Sequence, residues 1–355
     1  MKKLTALLLA LAMCFALVAC GGDNDSDKKD NNDSQQNQQT PSDGNNEQQP
    51  SGGASGTFKL GGIGPLTGDA SIYGIAAMNG AQIAVDEINA LGGPVQFEFN
   101  AQDDQADGEM GVNAYNKLLD WGMQLLVGPG SAISVSAEVF KDRVFALTPS
   151  ASSTDVIDGK DNMFQVCFTD PNQGTGSADY IAENMPGAKI AIIYRNDDAY
   201  SQGIRDTFVA EAKAKGLEIV DEGTFTKDTQ TDFSVQLTSA QNKGADVMFL
   251  PTYYQPNAII LAQAAAMNYA PTFFGVDGMD GILTAENFDA SLAEGVMLLT
   301  PFSADAEDER TQKFVSTYQT LHGETPNQFA ADGYDVVYTL YAAIQAAGVT
   351  SDMST

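Results

Sequence analysis

From residue 57 onward the chain alternates between two apolar patterns. Phe58 to Ile63, Val95 to Phe99, Met123 to Val127 and Val144 to Leu147 are short apolar or alternating runs of strand length. Between them, Ile75 to Ala90, Gly108 to Trp121 and Ala132 to Lys141 carry apolar residues at helical spacing, as Met78, Ala81, Val85 and Ile88 do. The second half repeats the rhythm, with strands at Lys189 to Tyr194, Leu217 to Phe225, Ala245 to Leu250 and Thr272 to Val276, and helices over 200–215, 231–243 and 256–268. Strands separated by helices predict parallel sheets covered on both faces. Two such runs predict two doubly wound, Rossmann-like α/β lobes, whose ligands bind outside the carboxyl ends of the strands.

The polar chemistry sits in the loops after those strands. The first strand leads into Gly61-Gly62-Ile63-Gly64-Pro65-Leu66-Thr67-Gly68-Asp69, the third into Gly128-Pro129-Gly130-Ser131, and the fourth into Thr148-Pro149-Ser150-Ala151-Ser152-Ser153. In the second half the strand ends supply Tyr253-Tyr254-Gln255-Pro256 and Gly275-Val276-Asp277-Gly278. A helix starting just after Ser131 aims free backbone N–H groups at its N-terminus, and with a serine hydroxyl this suits a carboxylate or other small anion. Asp277, from the opposite lobe, suits a cation. An anion site facing a cation site describes a zwitterion.

The N-terminus reads differently. Lys2 and Lys3 precede the apolar stretch Leu4 to Ala16, which ends in Leu17-Val18-Ala19-Cys20. This is the layout of a secretory signal, and it is too short to span a bilayer, which needs ~20 apolar residues. From Gly21 to about Gly56 the chain is Asn, Gln, Asp, Ser, Gly and Pro with few apolar side chains. Such a segment cannot offset its ordering entropy and is expected to be a disordered tether. A coil of roughly 36 residues has an r.m.s. reach of ~30 to 36 Å.

Composition then removes several function classes. Asp plus Glu number 47 against 18 Lys plus Arg, a formal net charge of -29, which disfavours nucleic acid or an anionic membrane surface as a direct partner. Of the three cysteines, Cys14 and Cys20 belong to the N-terminal segment, and Cys167 alone lies in the patterned region; it reads as a small buried hydrophobe. One His and one Cys make a zinc site improbable, and Asp103-Asp104 reads as a strand-end turn; no metal or cofactor is expected. A dinucleotide loop at Gly62, Gly64 and Gly68 is interrupted by Pro65 and lacks an acidic ribose partner at the usual spacing. A serine hydrolase using Ser131 or Ser152 would have only His322 as its histidine base, in a distant turn. The chain is therefore not expected to be an enzyme.

The ordered set Ile63-Gly64-Pro65-Leu66-Thr67-Gly68, Tyr73-Gly74, Asn79 to Asn89, Gly92-Gly93, Asp103-Asp104, Val127-Gly128-Pro129, Thr148 to Ser152, Tyr200-Ser201-Gln202-Gly203 and Leu250 to Tyr254 runs over nearly all of residues 57 to 345. It resembles the amino-acid-binding lipoproteins of branched-chain amino acid ABC transporters, the leucine/isoleucine/valine-binding family of type I periplasmic binding proteins. Leu17 to Cys20 likewise resembles a bacterial lipobox, which implies cleavage after residue 19 and a lipid on Cys20. The resemblance implies lobe 1 over 57–169 and 304–355, lobe 2 over 170–303, and a hinge between them, behind a signal peptide at 1–19 and a tether at 20–56. It also implies that Ser131 and Ser152 bind the ligand α-carboxylate, with Ser134 an alternative to Ser131, and that the Ser150 carbonyl accepts from the α-ammonium. Asp277 would pair with that ammonium, Tyr254 with Tyr253 would close over the ligand, and Tyr73 and Tyr200 would stand at the cleft edge.

The implied function is capture of an amino acid, branched-chain or otherwise hydrophobic, and its delivery to ABC permease subunits. The implied protein is a monomer held by lipid on the outer face of the cell membrane, or periplasmic. The alternatives are a sensing subunit of the same fold for a signalling receptor, or a binder of another small carboxylate or amide. After a helix at Asp332 to Ala347 the family usually continues through a third interlobe crossing, so the sequence reads as truncated at its C-terminus.

Overall fold

The computed structural model describes residues 53–129 and 133–352. The signal segment, Cys20, nearly all of the tether and Ser131 lie outside them. The first sheet has the order β2-β1-β3-β4-β5, with β1 at Gly56–Gly64, β2 at Val95–Asp103, β3 at Leu125–Val127, β4 at Phe145–Thr148 and β5 at Met163–Gln165. The second runs β10-β9-β8-β6-β7, with β6 at Lys189–Arg195, β7 at Glu218–Phe225, β8 at Val247–Leu250, β9 at Thr272–Gly275 and β10 at Met297–Leu298. Every strand pair in both is parallel. The expected α/β pair of doubly wound sheets is therefore present, and the strand order of each sheet reverses beside its first strand, where ligands bind.

Helices α1 (Ser71–Ala90), α2 (Gly108–Trp121) and α3 (Ile133–Asp142) follow strands of the first sheet; α5 (Ala199–Lys215), α6 (Ser234–Asn242) and α7 (Tyr254–Ala266) follow those of the second. Their ends are set locally. Asp107 accepts from the backbone N–H groups of Glu109 and Met110, both at 2.9 Å, and Asp198 accepts from Ser201 N at 3.0 Å, satisfying donors that a helix leaves open at its start. Asp103 ends β2 as the expected strand-end turn, its carboxylate accepting from Leu66 N, Thr67 Oγ1 and Gln105 N.

Four elements escaped the apolar pattern, the two-residue strand β10 among them. β5 is only three residues long. Helix α4 (Asp170–Asn184) is mostly polar and packs through small residues: a Cβ on Gly174 would stand 2.4 Å from Ile204 O of α5. Helix α8 (Glu309–His322) buries only Phe314, Val315 and Tyr318. His322 ends that helix against the Tyr318 ring, with centroids 4.6 Å apart, rather than standing in a turn.

The last helix corrects a boundary. Helix α9 runs over Gln328–Ala347 and starts at Asn327, whose side chain accepts from Ala330 N at 3.2 Å. Asp332 is thus one turn inside the helix, not its first residue. Helix α9 crosses α1 at backbone distance, because a Cβ on Gly80 would meet Ala330 O at 1.8 Å and one on Gly333 would meet Ala77 O at 2.0 Å. Glu87 of α1 secures the crossing by accepting from Tyr334 Oη at 2.7 Å and Tyr338 Oη at 3.0 Å, while Lys313 of α8 bridges it at 2.8 Å. This crossing carries the start of α9 to the junction between the sheets.

Candidate functional site

Tyr73 enters that junction from the first turn of α1. Its hydroxyl donates to Gly278 O, in the loop after β9, at 2.6 Å and accepts from Tyr254 N, at the start of α7, at 3.3 Å. One side chain from the first sheet therefore ties together two loops of the second. Around it the rings of Tyr253, Tyr254 and Phe329 lie at centroid distances of 6.1, 5.7 and 4.8 Å, and Tyr200 stacks on Tyr253 at 4.9 Å. Tyr254 Oη reaches back to Asp69 O at 3.2 Å. Burial pushes the Tyr73, Tyr200 and Tyr253 hydroxyls well above their ordinary range, so they act as neutral hydrogen-bonding groups.

Asp277 is buried beside these rings. Tyr200 Oη donates to its Oδ1 and accepts from Gly278 N at 3.0 Å. The backbone of Asp277 is held on both sides, its N–H donating to Gln173 Oε1 at 3.0 Å and its carbonyl accepting from Gln328 Nε2 at 3.0 Å. Asp280 accepts from Gln328 N at 2.7 Å. Burial raises the Asp277 carboxyl to about 6, against hydrogen bonds that lower it. A carboxylate made costly by burial gains most from a cation brought next to it.

On the first sheet, the loop after β4 is folded around Thr148, whose Oγ1 donates to Pro129 O at 2.9 Å and accepts from Ala151 N at 2.9 Å. Ser152 is buried, hydrogen-bonds the Asp170 side chain, and through its carbonyl accepts from Asp170 N at 3.1 Å. Ser150 is half-buried in the same loop. Ser134, the alternative to Ser131, donates to Gly108 O at 3.2 Å and so faces α2.

The structure thus gathers Tyr73, Tyr200, Tyr253, Tyr254 and Asp277 into one cluster, with Ser152 joined to it through Asp170. Four residues absent from the sequence reading complete it. They are Asp170, Gln173, Gln328 and Asp332, all buried. Only the spacing of Asp170 and Gln173 and of Gln328 and Asp332, each pair on one helix face, hinted at them. A cavity of about 1050 Å³ lies alongside and shares Tyr254 and Asp280 as wall, with Ile72, Ile259 and Leu298 among its apolar lining.

Known proteins share this fold. The periplasmic binding protein family matches residues 57–354. The chain belongs to that family. The Leu/Ile/Val-binding protein BraC3 of Rhizobium johnstonii is 30% identical over 307 residues, 84% of this chain and 82% of the relative. A leucine-, isoleucine-, valine-, threonine- and alanine-binding protein of Pseudomonas aeruginosa is 26% identical over 303 residues, covering 83% and 80%. Among solved structures, the branched-chain amino acid transporter substrate-binding protein LivJ of Streptococcus pneumoniae, in complex with isoleucine, aligns with a TM-score of 0.75 at 29% identity, over 82% of this chain and 84% of that one. These relatives are solute-binding proteins of the Leu/Ile/Val type, and the two parallel-sheet lobes of this periplasmic binding protein follow the same plan. Family membership places it outside the cytoplasm, and among the described residues no helix is long and apolar enough to cross a membrane.

Proposed function

We propose that this protein captures an amino acid between its two lobes and delivers it to the permease subunits of an ABC transporter, without catalysing a reaction on it. The observation that carries this reading is the buried Asp277 carboxyl, held by Tyr200 and by a backbone fixed at both ends, with Ser152 hydrogen-bonded to the neighbouring Asp170. In this reading Asp277 and the Ser150 carbonyl hold the ligand ammonium, and Ser152 and Ser131 hold its carboxylate. Tyr73, Tyr200, Tyr253 and Tyr254 close the cleft. Lobe 1 comprises 57–169 and 304–355, lobe 2 comprises 170–303, and the protein works as a monomer anchored by a lipid on Cys20.

The relatives that bind leucine, isoleucine and valine support an aliphatic amino acid as ligand. A thermal-shift screen of the protein against the amino acids tests the reading, since a ligand at ~100 times Kd stabilises by ~2.7 kcal/mol. A raised melting temperature with leucine, isoleucine or valine is expected. No shift with any amino acid would overturn it.

A further inference from the structure

Asp332 stands one turn along α9 from Gln328, on the helix face that meets the loop of Asp277 and Asp280. Gln328 makes that contact directly, to Asp277 O at 3.0 Å and from its own N–H to Asp280 Oδ2 at 2.7 Å. Asp332 is 7% exposed. Among the described residues its carboxyl has no hydrogen-bond donor and no cation, and the charged groups that act on it, Asp335, Asp277 and Asp280, are all acidic. The buried Cys167 thiol feels the charge of Asp332, Asp277 and Asp170, so the three carboxyls share one acidic neighbourhood. Asp170 contributes a second unmet group there, since its buried Oδ1 has no partner either.

Burying a carboxyl without a partner is unfavourable, and other buried carboxyls nearby make it more so unless a cation neutralises them. The α-ammonium of an amino acid supplies one positive charge, and Asp277 takes it. Asp332 remains. We propose that Asp332 makes this cleft accept amino acids with a cationic side chain as well as aliphatic ones, by pairing with the terminal ammonium or guanidinium. The proposal rests on the amino-acid-binding reading above and deepens it.

The two ligand types are compatible with one site through the protonation state of Asp332. Burial, with the neighbouring carboxyls, raises this group to about 8, so beside an aliphatic side chain it stays neutral and costs little. A cation brought into contact displaces the proton and leaves an ion pair. An arginine side chain fits best, because its planar fork can hold Asp332 by two parallel hydrogen bonds.

Titration calorimetry of the full chain with leucine, lysine and arginine, repeated on Asp332→Leu and Asp332→Asn, tests this. Arginine or lysine is expected to bind the wild type, and the ratio of its affinity to that of leucine is expected to fall at least tenfold in both variants. The near-isosteric Asn variant guards against misfolding of the Leu variant, and the wild-type titration needs neither. Leucine binding without measurable lysine or arginine binding would overturn the proposal and leave the amino-acid reading intact, as would a ratio unchanged in the variants. Absence of heat from every amino acid would overturn both.

Discussion

Tyr73 and Gly278 lie 205 residues apart, yet the phenol of one donates to the carbonyl of the other at 2.6 Å. Tyr73 belongs to α1 on the first sheet and Gly278 to the loop after β9 on the second, next to Asp277. The same hydroxyl also accepts from Tyr254 N. A single side chain thereby couples the two lobes to each other and to the buried acid at the centre of the site.

Removing that hydroxyl uncouples the lobes while keeping the ring. Tyr73→Phe should weaken amino-acid binding about 30-fold, because two buried hydrogen bonds worth ~1 kcal/mol each are lost. Small-angle scattering should show the wild type contracting on ligand addition and the variant contracting less. Equal affinity and equal contraction would remove Tyr73 from the closing mechanism.

Asp277 is expected to carry the largest single share of ligand affinity. Losing one partner of a buried charge pair costs ~2 to 5 kcal/mol, so Asp277→Ala should weaken amino-acid binding by about 30-fold or more. Asp277→Asn should lose nearly as much, since it keeps the size and not the charge. Calorimetry with one responsive amino acid decides it, and near-wild-type affinity for both variants would sink the assignment.

Stability should depend on pH through the buried carboxyls. Asp277, Asp170 and Asp332 are raised by burial to about 6, 7 and 8, above the unfolded value of ~3.9. The folded protein thus holds more protons than the unfolded chain between pH 4 and 8, and their contribution is lost as pH rises through those values. Urea unfolding without ligand should give a lower midpoint at pH 8 than at pH 5, and Asp332→Asn should flatten the difference. A midpoint that rises with pH would contradict it.

The α1–α9 crossing should tolerate no added carbon. A methyl on Gly80 would stand 1.8 Å from the backbone oxygen of Ala330, and backbone cannot step aside as a flexible side chain does. The resulting strain of ~1 to 3 kcal/mol or more should exceed the ~1 kcal/mol that alanine gains over glycine in a helix. Gly80→Ala is expected to lower the melting temperature, and an unchanged or higher one would show that the helices can part freely.

Anchoring should depend on Cys20 alone. Cys20→Ala should move the protein from the membrane to the soluble fraction without altering amino-acid affinity, because the polar segment from Gly21 separates the cysteine from the folded body. Unchanged partitioning in a cell fractionation would refute the lipid anchor.

Local signals were enough for much of the fold. Strand-length apolar runs alternating with helical spacing mark both parallel sheets, because a strand covered on both faces must be apolar throughout. The ordered motifs from Ile63 to Tyr254 point to the family, and the strand-end loops with the first turns of the helices that follow them contain Tyr73, Ser152, Tyr200, Tyr253, Tyr254 and Asp277. Where local patterning is weak the reading failed: α4 buries polar and small residues with Ile181 as its one large apolar side chain, and α9 begins a turn before Asp332 because Asn327 caps it.

What only the tertiary structure decided is which polar residues meet. Asp170 and Asp332 read as ordinary helix residues along the chain, since an aspartate in a helix is usually solvated. The glycine-to-backbone crossing of α1 and α9 and the capture of the Asp277 loop by Gln173 and Gln328 bury them instead. Burial and the company of other carboxyls are properties of packing between segments far apart in the chain. No local pattern encodes them.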